Sequence, residues 1–318
     1  MRVAFFSEMG TTIGSYYPRN FPNMRTDVAW SVALNATVLS LDCCLDINSQ
    51  FQGNFDLGIV IVPKKNPHLA FSCYEKNKHR CGKWATMQEA NQTYWQNGTI
   101  FDQFQYINFL NDCDIIFCHN EADKLYYKGL FPDKQVSILP SLMIEDAIPI
   151  MQLTSKENRS GCMVGGNWTE WYSGQDSYFI AQEFDEQIYA PSMGRKHAEE
   201  TNIEGIEYLP YMEWKQWIVE LSKRKYAVHL MRTYAAGTFS LNCARLGIPC
   251  IGWDYLDTQR LCFPELSFKE GDMVSARKAA KHLKENPIFY NYCYAYAKKA
   301  YDDNFTEKVF LDKFNSYF

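Results

Sequence analysis

Residues 161–184 read "GCMVGGNWTEWYSGQDSYFIAQEF". "GCMVGG" is a short apolar run ending in Gly165-Gly166, the pattern of a buried strand that stops at a tight turn. "SYFIAQEF", from Ser177, has apolar residues at helical spacing. Two adjacent glycines lose much conformational entropy on ordering. They are expected where something approaches the backbone closely, or where φ is positive. A strand, a glycine turn and a helix form the unit from which parallel α/β sheets are built.

The same alternation extends in both directions. Toward the N-terminus, "RVAFFS" (2–7), "TVLSL" (37–41), "DLGIVIVP" (56–63), "GKWATMQ" (82–88), "DIIFC" (114–118) and "QVSILP" (135–140) read as strands. Helical spacing falls in 23–36, 100–110 and 121–130. Toward the C-terminus, strands are expected at "EQIYAP", "IEYLPYM", "YAVHLMR" and "IPCIGW", and helices at "EWKQWIVELSKRK" and "GTFSLNCARLG". Strands alternating with helices imply parallel sheets covered on both faces. Two such sheets in 318 residues fit two domains of roughly 150 residues each. "TSKENRSG" (154–161) reads as the linker. The expected division is 1–153, 154–302 and a C-terminal helix over 303–318. That helix, "FTEKVFLDKFNSYF", is amphipathic and is expected to pack back on the first domain.

Hydrophobic residues make up 47% and aromatic residues 16% of the chain, enough for large cores, and the net charge is −5. That charge weighs against a protein held on nucleic acid by a global positive field, but not against a local basic cleft. The 11 cysteines form no CxxC pair and read as buried thiols of a reducing compartment. With no signal-peptide pattern, a cytoplasmic location is expected. No run approaches the ~20 apolar residues that span a membrane. Cys73, His79 and Cys81 would supply three zinc ligands, with no evident fourth.

In open parallel sheets, ligands bind beyond the carboxyl ends of the strands. The groups that follow the strands are Ser7 and Glu8, then Glu89, then His119. In the second half they are Gly165, Gly166 and Asn167, then Arg195 and Lys196, then Arg232, then Asp254. "RTYAAGTFSLNCARLG" places Arg232, small residues and Gly237 before a helix that starts near Thr238. Free helical N–H groups and a nearby guanidinium make a phosphate seat. The plainer reading is an ordinary turn with Thr238 as N-cap. GxGxxG is absent, as are a P-loop and a GxSxG elbow. "DCD" (112–114) precedes its strand and reads as a helix end followed by a strand start.

The order of these elements resembles the GT-B glycosyltransferases. The fold implied is α/β, with two Rossmann-like domains facing a cleft and the nucleotide-sugar on the C-terminal one. "IEYLPYMEWKQWIVELSKRKYAVHLM", which contains Tyr211, looks like that family's base-binding strand, helix and next strand. "GTFSLNCARLGIPCIGW" looks like its donor-binding helix. Gly165, Gly166, Asn167, Trp168 and Ser173-Gly174-Gln175 are locally similar to phage DNA β-glucosyltransferases. The chain also departs from the family. Thr169, Glu170 and Asp176 stand where arginines often bind the donor, so Arg195, Lys196 and Arg232 are the substitutes. Asn242 stands where many members carry a ribose-binding glutamate. Tyr234 stands at the other position of the glutamate pair typical of retaining members, which weakens a retaining assignment.

The resemblance implies transfer of a sugar from a nucleotide-sugar, a UDP-sugar first among them, to an acceptor hydroxyl. A divalent metal is compatible with this chemistry but not required. Glu89, expected among Trp84, Tyr94 and Trp95, takes the place of the phage enzymes' base, with His119, Asp27 and Glu8 as rivals. Asp27 also fits a plain helix first turn. The acceptor implied is a hydroxymethylated base in phage DNA, flipped among Trp84, Tyr94, Trp95, Tyr16 and Tyr17. A glycan or lipid-linked acceptor is the alternative. A nucleotide-sugar epimerase and a non-catalytic nucleotide-sugar-binding protein are the readings from other classes. The oligomeric state is left open.

Overall fold

The computed structural model describes residues 1–10, 14–41, 54–63, 67–88, 90–166, 168–191 and 203–318. The chain forms two compact units. Unit 1 is Met1–Ile144, Tyr234–Ala236 and Phe310–Phe318; unit 2 is Glu145–Thr233 and Gly237–Val309.

Unit 1 contains β1 (Val3–Ser7), β2 (Thr37–Ser40), β3 (Phe55–Val62), β4 (Cys81–Gln88), β5 (Ile115–Cys118) and β6 (Gln135–Ile138). They form one parallel sheet in the order β2-β1-β3-β4-β5-β6. All of β1 and nearly all of β3 are buried, so both sheet faces are covered and the strands read as continuous apolar runs. The helices are α1 (Thr26–Ala33), α2 (His68–Asn77), α3 (Ile100–Asp112) and α4 (Glu121–Leu130). Asp112 ends α3, and Asp114 Oδ2 accepts from Trp84 N at 2.7 Å, so "DCD" is the helix-to-strand junction it read as. The strand order reverses between β1 and β3.

Unit 2 contains β7 (Cys162–Val164), β8 (Ile188–Ala190), β9 (Ile206–Tyr208), β10 (Tyr226–His229), β11 (Cys250–Trp253) and β12 (Ser267–Phe268). Its sheet is also parallel, in the order β12-β11-β10-β7-β8-β9. Counted within the unit, that is the 3-2-1-4-5-6 order of dinucleotide-binding folds, with its switch point between β7 and β10. The helices are α5 (Gly174–Ala181), α6 (Trp214–Ser222), α7 (Thr238–Leu246), α8 (Asp257–Cys262), α9 (Met273–Glu285) and α10 (Pro287–Asn304).

The last helix, α11 (Glu307–Asn315), is shorter than expected because α10 continues to Asn304. Its buried Phe310 lies 5.7 Å from the Trp30 ring, and Phe314 lies 6.3 Å from Phe117, all within unit 1. Tyr317 Oη donates to the Ile138 carbonyl at 3.0 Å. Burying an aromatic side chain of this size contributes on the order of 2 kcal/mol, which ties the chain end to the first sheet.

Among the described α-helices and strands, α2, α8, α9, α10 and β12 went unread in the sequence. In α10 the buried stripe is Tyr290, Cys293, Ala297, Ala300 and Tyr301, at helical spacing. Tyr292 and Tyr296 on the outer face are exposed, which lowers the contrast between the faces. The start signals are present: Asn286 accepts from the amides of Ile288 and Phe289, and Pro287 follows it. The nine described cysteines are buried. No three His, Cys, Asp or Glu side chains among the described residues are arranged to hold a metal ion, Cys73, His79 and Cys81 included. Among the described residues, no helix is long and apolar enough to cross a membrane.

Candidate functional site

The switch point of unit 2 gathers several of the residues singled out above. After β7, the Gly165 amide donates to the Val228 carbonyl of β10 at 2.8 Å. A Cβ on Gly165 would lie 2.8 Å from the His229 ring, and one on Gly166 would lie 2.7 Å from the Tyr172 ring. Gly166 also has φ +79°, in the left-handed region where side chains are strained. The two glycines are therefore demanded by the protein's own rings and backbone, whether or not a ligand also approaches them. Ser173, at φ 48°, turns the chain into α5, and its hydroxyl donates to Asp176 at 2.7 Å.

Beyond His229, the last residue of β10, the chain passes Arg232 and enters α7. The cap is Gly237 (φ +70°), not Thr238, which is the first helical residue. A Cβ on Gly237 would collide with Thr258 Oγ1. The hydroxyls of Thr258 and Ser240 both reach the Gly237 carbonyl, at 3.0 and 3.1 Å, which fixes the turn. No side chain caps α7, and its first turn carries no acidic residue. Its leading N–H groups and positive dipole end are thus not neutralised by the helix's own residues.

Arg232 stands at the edge of this turn, with Nη2 2.5 Å from Asp176 Oδ2 and Nε 3.3 Å from Glu270 Oε1. It is 40% exposed, and ion pairs at such sites contribute about 0–1 kcal/mol. The guanidinium can therefore be exchanged to a phosphate at small cost. Asn242 is buried. With its amide turned to satisfy both neighbours, its nitrogen donates to the Thr238 carbonyl at 3.2 Å and its oxygen accepts from Trp217 Nε1 at 3.1 Å, joining α7 to α6. Tyr211 is exposed, beyond the outer strand β9. Asn167, Arg195 and Lys196 lie outside the described residues.

His229 was missed in the sequence, where it is one polar residue in an apolar strand. It is 4% exposed, and neither ring nitrogen has a hydrogen-bond partner. Leaving such a group unpaired costs about 1–3 kcal/mol. Burial holds its imidazole down to about 4, so the ring is uncharged at neutral pH.

In unit 1, Asp27 sits in the first turn of α1, 1% exposed. Its Oδ2 accepts from Ser7 Oγ at 2.8 Å, and Arg25 Nε lies 2.8 Å from its Oδ1. Glu8 pairs with the same arginine at 3.2 Å. The carboxylate of Asp27 thus locks the end of β1 to α1. His119 follows β5, is buried, and meets the Trp30 ring edge-on at 5.1 Å. Glu89 lies outside the described residues. Three of the aromatic residues named with it for the acceptor pack against other rings. Trp84 stacks on Phe6 at 5.3 Å, Trp95 packs on Tyr106 at 4.7 Å, and Tyr17 on Phe21 at 4.5 Å. These three are core side chains, each less than 10% exposed, not an open surface for a flipped base. Periodicity finds aromatic residues but not the side of a sheet that each one fills.

No family model matches the chain, and no curated protein matches it. Solved structures do match in fold. Sucrose-phosphate synthase from Thermosynechococcus elongatus is 12% identical with a TM-score of 0.61, over 82% of this chain and 73% of that one. A trehalose-6-phosphate synthase is 10% identical with a TM-score of 0.64, over 91% and 78%; that structure concerns glycosyl transfer with retention. TarM of S. aureus, in complex with fondaparinux, α-GlcNAc-glycerol and UDP, is 10% identical with a TM-score of 0.59, over 81% of this chain and 55% of that one. The fold is that of the GT-B glycosyltransferases: two parallel six-stranded α/β sheets in succession.

Proposed function

We propose that this protein is a glycosyltransferase that moves a sugar from a nucleoside-diphosphate-sugar to an acceptor hydroxyl. The observation that carries the reading is the corner at the switch point of unit 2. There the Gly165-Gly166 turn and the start of α7 adjoin strands β7 and β10, where α/β folds of this strand order bind nucleotides. Arg232 supplies an exchangeable cation, and the α7 dipole and amides stabilise the leaving diphosphate. A UDP-sugar is the first donor to test, since one of the fold's relatives was solved with UDP.

Glu89 is the base that this reading assigns to the acceptor hydroxyl, with His119 as its rival. The local similarity to the phage enzymes rests on 165–168 and 173–175 alone, and the burial of Trp84, Trp95 and Tyr17 favours a glycan hydroxyl over a flipped base. Inversion follows if Glu89 acts as a simple base, and the anomeric configuration of the product, read by NMR, decides it. The experiment is a thermal-shift screen against UDP-, GDP-, ADP-, CMP- and dTDP-sugars, followed by turnover on glycan and hydroxymethylated DNA acceptors. A ligand at 100 times its Kd adds about 2.7 kcal/mol to the folded state. A shift that Arg232→Ala removes, with turnover that Glu89→Gln removes, is the expected result. Absence of any shift at millimolar concentration sinks the reading.

A further inference from the structure

His229 is the last residue of β10, at the strand pair where the order of the second sheet reverses. One side of its ring faces the Gly165 backbone, close enough that any side chain there would strike it. Another side meets Phe239, the second residue of α7, edge-on with centroids 5.0 Å apart. Tyr172 stacks over it at 6.2 Å and 27°. The imidazole is thus wedged between the β7 turn and the first turn of α7. Two independent features meet there: a nine-residue helix whose N-terminus has no side-chain cap and no acid, and a buried ring whose two nitrogens have no partner. An apolar ring would fill the same volume without burying unpaired polar atoms. A histidine at this point makes physical sense when a polar group arrives from outside the chain.

Resting on the nucleotide-sugar reading above, we propose that His229 is a ligand-contact residue: its uncharged ring donates an N–H hydrogen bond to a phosphate oxygen of a nucleoside diphosphate seated at the N-terminus of α7. Because the ring nitrogens are covered, the side chains around them shift to admit that oxygen. A neutral donor suits this place, since the helix end provides a positive field and the imidazole adds direction without charge.

The test uses the full chain, with UDP, GDP and ADP as probes in calorimetric titrations of wild type and His229→Phe. The variant is expected to bind about tenfold more weakly, equivalent to 1.4 kcal/mol. Without nucleotide it should melt at or above the wild-type temperature, because two unpaired buried nitrogens are gone. Unchanged affinity in the variant overturns the proposal. If the variant does not fold, ¹⁵N NMR of the wild-type histidine rings gives the answer: the His229 nitrogens should shift on nucleotide addition, and their failure to move while binding is seen overturns it. A wild type that binds none of the three diphosphates removes the donor reading and this proposal together. Binding by the wild type with an indifferent His229 removes this proposal alone.

Discussion

Both sheets are parallel and six-stranded, and their carboxyl edges differ in how their polar groups are met. In unit 1, α1 brings its own anion to its first turn: Asp27, buried and held by Ser7 and Arg25. In α4, Asn120 accepts from the Asp123 amide at 2.8 Å, and Glu121 and Asp123 occupy the first turn. In unit 2, α7 begins with a glycine and neutral residues, beside a histidine with both nitrogens unpaired. The first pattern stabilises the fold by supplying negative charge to helix ends from within the chain. The second leaves that charge to be supplied. Position after a strand is common to all three helices; what separates α1 and α4 from α7 is whether the helix dipole already has its counter-charge.

The largest expected break in this contrast comes from Asp27→Ala. Removing a buried carboxylate paired to Arg25 should cost about 3 kcal/mol of unit 1 stability by denaturant titration, with nucleotide affinity unchanged. A variant that stays stable but loses turnover would instead make Asp27 part of the catalytic machinery.

A smaller effect separates the units by pH. His229 is held near 4 in the folded protein, whereas an exposed histidine titrates near 6.5. The unfolded chain therefore takes up a proton that unit 2 refuses. The stability linked to this group is complete above about pH 6.5 and declines as pH falls toward 4, by about 2 kcal/mol between pH 7 and pH 5. Unfolding free energies at those two pH values should show a shallower decline in His229→Phe. An identical decline in both proteins would mean that other groups carry it.

The smallest change makes unit 2 resemble unit 1. Thr238→Asp places a carboxylate in the exposed first turn of α7 and should stabilise the helix by about 0.3–1 kcal/mol. The same carboxylate would occupy the place proposed for the diphosphate, so UDP affinity should drop. A stabilised variant with full affinity would put the phosphate seat elsewhere.

Much of the fold was legible because parallel strands buried on both faces are written as short apolar runs, as in "DLGIVIVP" and "YAVHLM". α10 was not legible, since tyrosines lie on both its faces. Within the candidate site, Gly165, Gly166, Arg232 and Gly237 were found from their place after strands, a property of chain order. His229 was not, because a lone polar residue in an apolar strand has no local signature, and its lack of partners exists only once β7, α5 and α7 surround it. The burial of Trp84 and Trp95 was not legible for the same reason.

By itself, then, the sequence determined the alternation of strands and helices, the two successive sheets and the return of Phe310 and Phe314 toward the first of them. These follow from periodicity and hydrophobicity, which act over a few residues. Only the tertiary structure decided which polar groups are satisfied: Asp27 by Ser7 and Arg25, Asn242 by Trp217, and His229 by nothing in the chain. Hydrogen bonding and desolvation depend on neighbours that are distant in sequence, and those neighbours meet only when the sheets close.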